Sequence, residues 1–120
     1  LKGPDEIENA QPFFLERLVL AKARQGKTDE ALGIAAGLIR LSEGSPLEGY
    51  FTRLKGGVQR EAGKYDEAIE TYLAALDKLD KAKGLPDAQK ERLKDRVRYE
   101  LSGVYVDNKD IDKAAKQLQT

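Results

Sequence analysis

Gly63-Lys-Tyr-Asp-Glu-Ala-Ile-Glu-Thr-Tyr-Leu-Ala-Ala-Leu76 is the stretch around which the rest of the chain is organised. Glycine takes the left-handed backbone conformation that ends a helix, so Gly63 closes one helix and lets another begin. Asp66 and Glu67 place negative charge on the first turn of the new helix, where its dipole favours anions. Ala68, Tyr72, Ala75, Leu76 and Leu79 then recur at steps of three and four and form one apolar face. Small Ala68 admits a neighbouring helix at close range, and Tyr72 fills the groove beside it. The stretch therefore predicts a helix packed between neighbours on both sides.

Working outward, 120 residues suit one domain with a modest core. Hydrophobic residues at 40% and charged residues at 35% fit a water-facing, helix-rich chain rather than a disordered one. The 21 basic and 21 acidic residues cancel, which argues against general binding to nucleic acid or an anionic membrane. No apolar run approaches the roughly 20 residues of a membrane span, so no membrane insertion is expected. Without cysteine there is no disulfide frame, thiolate metal site or thiol nucleophile, and without histidine the usual general base is missing. The absence of methionine reads as a processed product or a segment of a longer chain. The compartment is left undetermined.

Taken in order, residues 1–11 are polar and broken by Gly3-Pro4, and read as a linker or the tail of an upstream element. Pro12 suits a helix start. Phe14, Leu15, Leu18, Val19 and Ala23 then recur helically until Gly26. Thr28 is read as the cap of a second helix, whose face of Ala31, Ile34, Ala35, Leu38 and Leu41 runs to Gly44-Ser-Pro46. A third helix spans about Leu47 to Ala62, and the opening stretch supplies a fourth, reaching about Lys83. Asp87 is read as the cap of a long fifth helix, about Ala88 to Val106, with Leu93, Val97, Leu101 and Val104 or Tyr105 inward. Ile111 to Gln119 begins a sixth, carrying Ala114, Ala115 and Leu118, which looks cut short.

Three segments superimpose: Gly26-Lys-Thr-Asp-Glu-Ala-Leu, Gly63-Lys-Tyr-Asp-Glu-Ala-Ile and Lys109-Asp-Ile-Asp-Lys-Ala-Ala. Ala31 and Ala68 are 37 positions apart, and Ala68 and Ala114 are 46 apart. A helix pair repeating at roughly 34 residues marks a tetratricopeptide array. The chain resembles a tetratricopeptide repeat domain over about residues 12–119. The likeness is strongest in Gly56, Gly63, Tyr65, Ala68, Tyr72 and Ala75. It continues through Leu101, Tyr105, Ile111 and Ala114, and is thinnest in Leu18, Gly26, Ala31 and Leu38, where Thr28 replaces the aromatic. The proline that ends each unit is out of place, since Pro46 and Pro86 come late. The longer second interval is expected to extend both helices around Gly84-Leu-Pro86, by about one and a half turns on each arm.

The resemblance implies an all-α, right-handed superhelical stack of three antiparallel helix hairpins, with units at about 12–46, 47–84 and 85–120. It also implies a concave surface lined by the first helix of each unit. The family's groove positions fall on Phe13, Glu16 and Leu20, then Tyr50, Arg53, Gly57 and Arg60, then Arg96, Tyr99 and Gly103. Gly57 and Gly103 would lower the floor. Tyr50, Arg53, Arg60, Arg96 and Tyr99 are the candidate anchors, because arginine grips carboxylate bidentately and tyrosine offers area at little entropic cost. Taken singly, each also reads as an ordinary solvated helix residue. The lysine–asparagine carboxylate clamp of chaperone-binding members is absent, since Glu16 and Leu20 stand at its positions.

Other motifs dissolve on inspection. Lys90 to Arg98 is basic in excess, but Glu91 and Asp95 are interleaved, as on a solvated, ion-paired face. Ser42, Ser45 and Ser102 have no histidine partner, and Gly56-Gly57 lies within a helical pattern. No catalytic residue, metal ligand or cofactor site is expected. The chain reads as a non-enzymatic module that takes a protein or peptide partner. Its rivals are a structural segment stacking on further repeats or on itself through the open C-terminal end, and an accessory domain of an enzyme.

Overall fold

The computed structural model describes the backbone of residues 4–110, 113 and 116–118, with side chains from Phe14 onward. Five helices follow in order: α1 (Pro4–Arg24), α2 (Thr28–Leu41), α3 (Leu47–Glu61), α4 (Tyr65–Lys81) and α5 (Asp87–Asp107). Among the described residues there is no strand. Lys113 and residues 116–118 are helical, whereas Ile111, Ala114 and Ala115 of the expected sixth helix lie outside the described residues.

The repeat is visible first in how helices end. Gly26, Gly63 and Lys109 all have positive φ, at 82°, 77° and 63°. After each, an amide returns to a carbonyl five residues back: Lys27 to Lys22 at 2.9 Å, Lys64 to Gln59 at 2.9 Å and Asp110 to Tyr105 at 2.6 Å. The preceding amide bonds three back in all three places. This paired closure satisfies the last carbonyls of the helix and reverses the chain. Lysine occupies the third turn despite the steric preference for glycine there.

Several boundaries differ from expectation. Residues 4–11, read as a linker, belong to α1. Pro4 is the first residue of α1, with the acids Asp5 and Glu6 directly behind it. Thr28 and Asp87 are first helical residues rather than caps; the cap positions fall on Lys27 and Pro86, neither with a side-chain bond. The closure at Gly26 delivers the chain straight into α2, so Lys27 already accepts from the Ala31 amide. The added length around Gly84-Leu-Pro86 falls mainly on one arm: α5 has 21 residues against 15 in α3, while α4 has 17 against 14 in α2. Lys94 ties that extension down through Asp80 at 2.6 Å.

Each helix packs on its sequence neighbours, and in addition α3 meets both α1 and α5. One core cluster joins Val19, Ala23, Ala31, Tyr50, Phe51, Leu54 and Val58. A second joins Ala68, Tyr72, Ala75, Leu79, Val97, Leu101, Val104 and Tyr105, and Leu93 touches both. Ala31 and Ala68, matched as equivalent, are both fully buried, while Ala114 lies outside the described residues. Phe14 and Leu41, assigned to inward faces, are exposed. Leu41 is the last residue of α2, beyond its buried positions Ala31 and Ala35.

Candidate functional site

The side chains proposed for the groove converge where α3 faces α1 on one side and α5 on the other. Arg53, midway along α3, is 3% exposed. Its Nη2 donates to Glu16 Oε1 of α1 at 2.6 Å, and its Nη1 to both oxygens of Glu100 of α5, at 3.1 and 2.8 Å. The guanidinium lies 4.5 Å from the centre of the Tyr50 ring, a cation–π contact. The Tyr50 hydroxyl donates to Glu16, and the Tyr72 hydroxyl donates to Glu100 at 3.2 Å. Arg96 sits over both acids from outside, 3.7 Å from Glu16 and 3.5 Å from Glu100.

The spacing of these partners follows the repeat. Glu16 and Arg53 are 37 positions apart, the same interval that separates Ala31 from Ala68. They are corresponding residues of successive hairpins, facing each other. Arg53 to Glu100 spans 47 positions, and so does Arg60 to Asp107, whose Nε–Oδ2 distance is 2.6 Å. The second pair lies seven residues, or about two helical turns, further along the same two helices. Thus α3 and α5 are joined by two ionic rungs in one register.

Tyr50 and Arg53 are therefore buried supports, not the open rim expected of them. A cation already bound to two internal carboxylates presents no free fork. Arg60, Arg96 and Tyr99 do reach the surface, with Tyr99 71% exposed. Phe13's side chain lies outside the described residues. Leu20 approaches Gly57, where an added Cβ would stand 3.6 Å from a Leu20 methyl. The floor expected to be lowered at Gly103 is covered instead, because the Arg60 guanidinium occupies the space its Cβ would enter, 2.8 Å away. Sequence reading missed Glu100 and Asp107 as members of this surface. Their only signal was position, two turns apart on α5 and each opposite an arginine once the register is known.

Electrostatics favour the network as it stands. Burial by itself raises the Glu16 pKa, but hydrogen bonds from Tyr50 and Arg53 and the charges of Arg53 and Arg96 outweigh it. The carboxyl is held below its usual 4.5. Burial and the neighbouring Glu16 raise the Tyr50 phenol, keeping it a donor. A folded-state pKa below the unfolded one gives stability that is present above pH 4.5 and lost as pH falls through the lower folded value. Urea midpoints of the wild type and Glu16→Gln should accordingly differ at neutral pH and converge in acid. A gap that persists unchanged to pH 2 would show that the Glu16 charge is not what the network uses.

Among the described residues no group of three or more His, Cys, Asp or Glu side chains is placed to hold a metal ion, and no helix is long and apolar enough to cross a membrane. A family model described as tetratricopeptide repeat matches residues 17–83, more than half of the chain. The chain belongs to the tetratricopeptide repeat family. No curated protein and no solved structure matches it significantly. Tetratricopeptide repeats are generally protein-interaction scaffolds without catalytic activity of their own. The matched span begins within α1, at residue 17, and runs to just past α4, so it includes the Gly26 and Gly63 turns.

Proposed function

We propose that the tetratricopeptide repeats form a right-handed superhelical stack of three hairpins whose concave face, lined by α1, α3 and α5, captures a segment of a partner protein. The observation that carries this reading is the cross-helix network itself. Glu16, Arg53 and Glu100 bind three successive first helices into one preformed surface. A preformed surface loses little entropy on binding, so a few anchors suffice for affinity. Arg60, Arg96 and Tyr99 are the candidate anchors in reach of solvent, and Arg96 shares the Glu16 and Glu100 carboxylates with the buried Arg53.

Selection from a displayed random-peptide library, followed by binding of the winners to variants, tests the proposal. Arg96→Ala with Tyr99→Ala should weaken the selected peptides at least tenfold, whereas Glu70→Ala on the exposed side of α4 should not. Winners indifferent to the first pair, or equally sensitive to Glu70→Ala, would place binding elsewhere. A second reading, stacking on another repeat or a second copy, is favoured by the exposure of Leu118. Sedimentation velocity at rising concentration separates the two.

A further inference from the structure

The second hairpin holds α5 with three side chains. Arg53 reaches Glu100 at 2.8 Å, Arg60 reaches Asp107 at 2.6 Å, and the buried Tyr72 ring shares a cluster with Val97 and Val104. Ala68 and Ala114 set the repeat interval at 46 positions, which carries Arg53, Arg60 and Tyr72 onto Tyr99, Val106 and Leu118. These three are 71%, 50% and 62% exposed. The third hairpin thus repeats the holding face of the second in apolar form, and that face stands uncovered among the described residues.

The face that plugs into such a holder repeats as well. Helix α3 enters the core of the first hairpin through Phe51, Leu54 and Val58, which cluster with Val19, Ala23 and Ala31. Forty-six positions on, α5 meets the second hairpin through Val97, Glu100 and Val104. Thirty-seven positions back, α1 carries Phe14, Arg17 and Ala21, all of them exposed. Four of the seven large apolar side chains exposed among the described residues, Phe14, Tyr99, Val106 and Leu118, therefore fall on these two faces. One face is a holder without an occupant, and the other is a plug without a holder.

Their chemistry matches them to each other. Glu100 and Asp107, the acids that meet the two arginines of α3, correspond on α1 to Arg17 and Arg24. On the second hairpin those cations would face Arg53 and Arg60, so like charges bar α1 from the place of α5. On the third hairpin they face Tyr99 and Val106 instead. An arginine over a tyrosine ring is an attractive cation–π contact, and an arginine stem covers a valine while its head stays in water. Phe14 takes the place that Val97 has beside Tyr72, and so meets Leu118.

We propose that α1 of a second copy seats on Tyr99, Val106 and Leu118 of the first, in the register that α5 takes on the second hairpin, so that copies join head to tail. The inference rests on the stacking reading above and names its partner and its contacts. Plug and holder are different surfaces, so a joined pair keeps one of each free and growth continues unless it closes into a ring.

Sedimentation velocity of the full chain at rising concentration should show species larger than a dimer. Phe14→Asp, which alters the plug, and Leu118→Asp, which alters the holder, should each stay monomeric over the same range. Mixed one to one, the two variants should form a heterodimer and stop there, because each supplies the surface the other lacks. A wild type that stops at a dimer and still associates as Phe14→Asp would overturn the proposal and leave stacking through another surface standing. So would variants that keep their helical circular dichroism yet remain apart when mixed. A wild type that is monomeric throughout would remove both. Neither substitution alters Arg96 or Tyr99, so the groove reading is tested apart from this one.

Discussion

Arg53→Met should destabilise the fold by about 3–5 kcal/mol, the cost of removing one partner from a buried ion pair. The side chain is almost wholly enclosed and bridges two carboxylates on different helices. Its loss leaves Glu16, itself 8% exposed, with the Tyr50 hydroxyl and an Arg96 guanidinium 3.7 Å away. The cation–π contact with Tyr50 disappears as well. The network also carries a built-in cost, since Arg53 Nε is buried without a hydrogen-bond partner. Replacing both members as Glu16→Leu with Arg53→Met should therefore recover much of the loss, because an apolar pair needs no desolvation of charge. Urea unfolding of the two single variants and the double variant would show a coupling of about 0.5–3 kcal/mol. A loss below about 1 kcal/mol in Arg53→Met would mean that the three helices are held by their apolar contacts alone.

The second large effect is expected at Tyr72, which α4 inserts between α3 and α5. Only 1% of it is exposed. Its ring lies against Gly56 so closely that a Cβ there would stand 3.0 Å from two ring carbons. Its hydroxyl ends the same path at Glu100. Truncation to alanine should cost about 3–5 kcal/mol, as for other buried aromatic side chains, through lost burial and the cavity left behind. Tyr72→Phe keeps the ring and removes one hydrogen bond, for about 0.5–1.5 kcal/mol. Thermal and urea unfolding of both variants check the ratio. Equal losses would mean that the hydroxyl, not the ring, is the feature the fold requires.

The two cases differ in how far the sequence announces them. Tyr72 was legible because it sits at a fixed step from Gly63, Ala68 and Ala75, and helical periodicity brings such residues to one face whatever surrounds them. Arg53 was legible as a groove-position residue but not in its state. Its partners lie 37 and 47 positions away on other helices. Nothing local distinguishes an arginine aimed at solvent from one enclosed by two acids. Pro4 illustrates the reverse error. The polar stretch 1–11 with Pro4 reads as a linker and Pro12 as a helix start, although proline is well tolerated where a helix begins; Pro12 lies inside α1 instead and forgoes one backbone bond to Glu8 while the helix continues.

What the sequence determined alone is the repeat: helix after helix, closed by the same turn at Gly26, Gly63 and Lys109, with Ala and Tyr at matching steps. These features depend on backbone preference and on neighbours within about four residues, so they are written locally. The tertiary structure alone decided which charges meet. Once the hairpins stack, the register between α1, α3 and α5 sets Glu16, Arg53 and Glu100 within hydrogen-bonding distance, and pairs Arg60 with Asp107. Charge pairing acts through space between distant positions, and only the packed helices supply the distances that choose the partners.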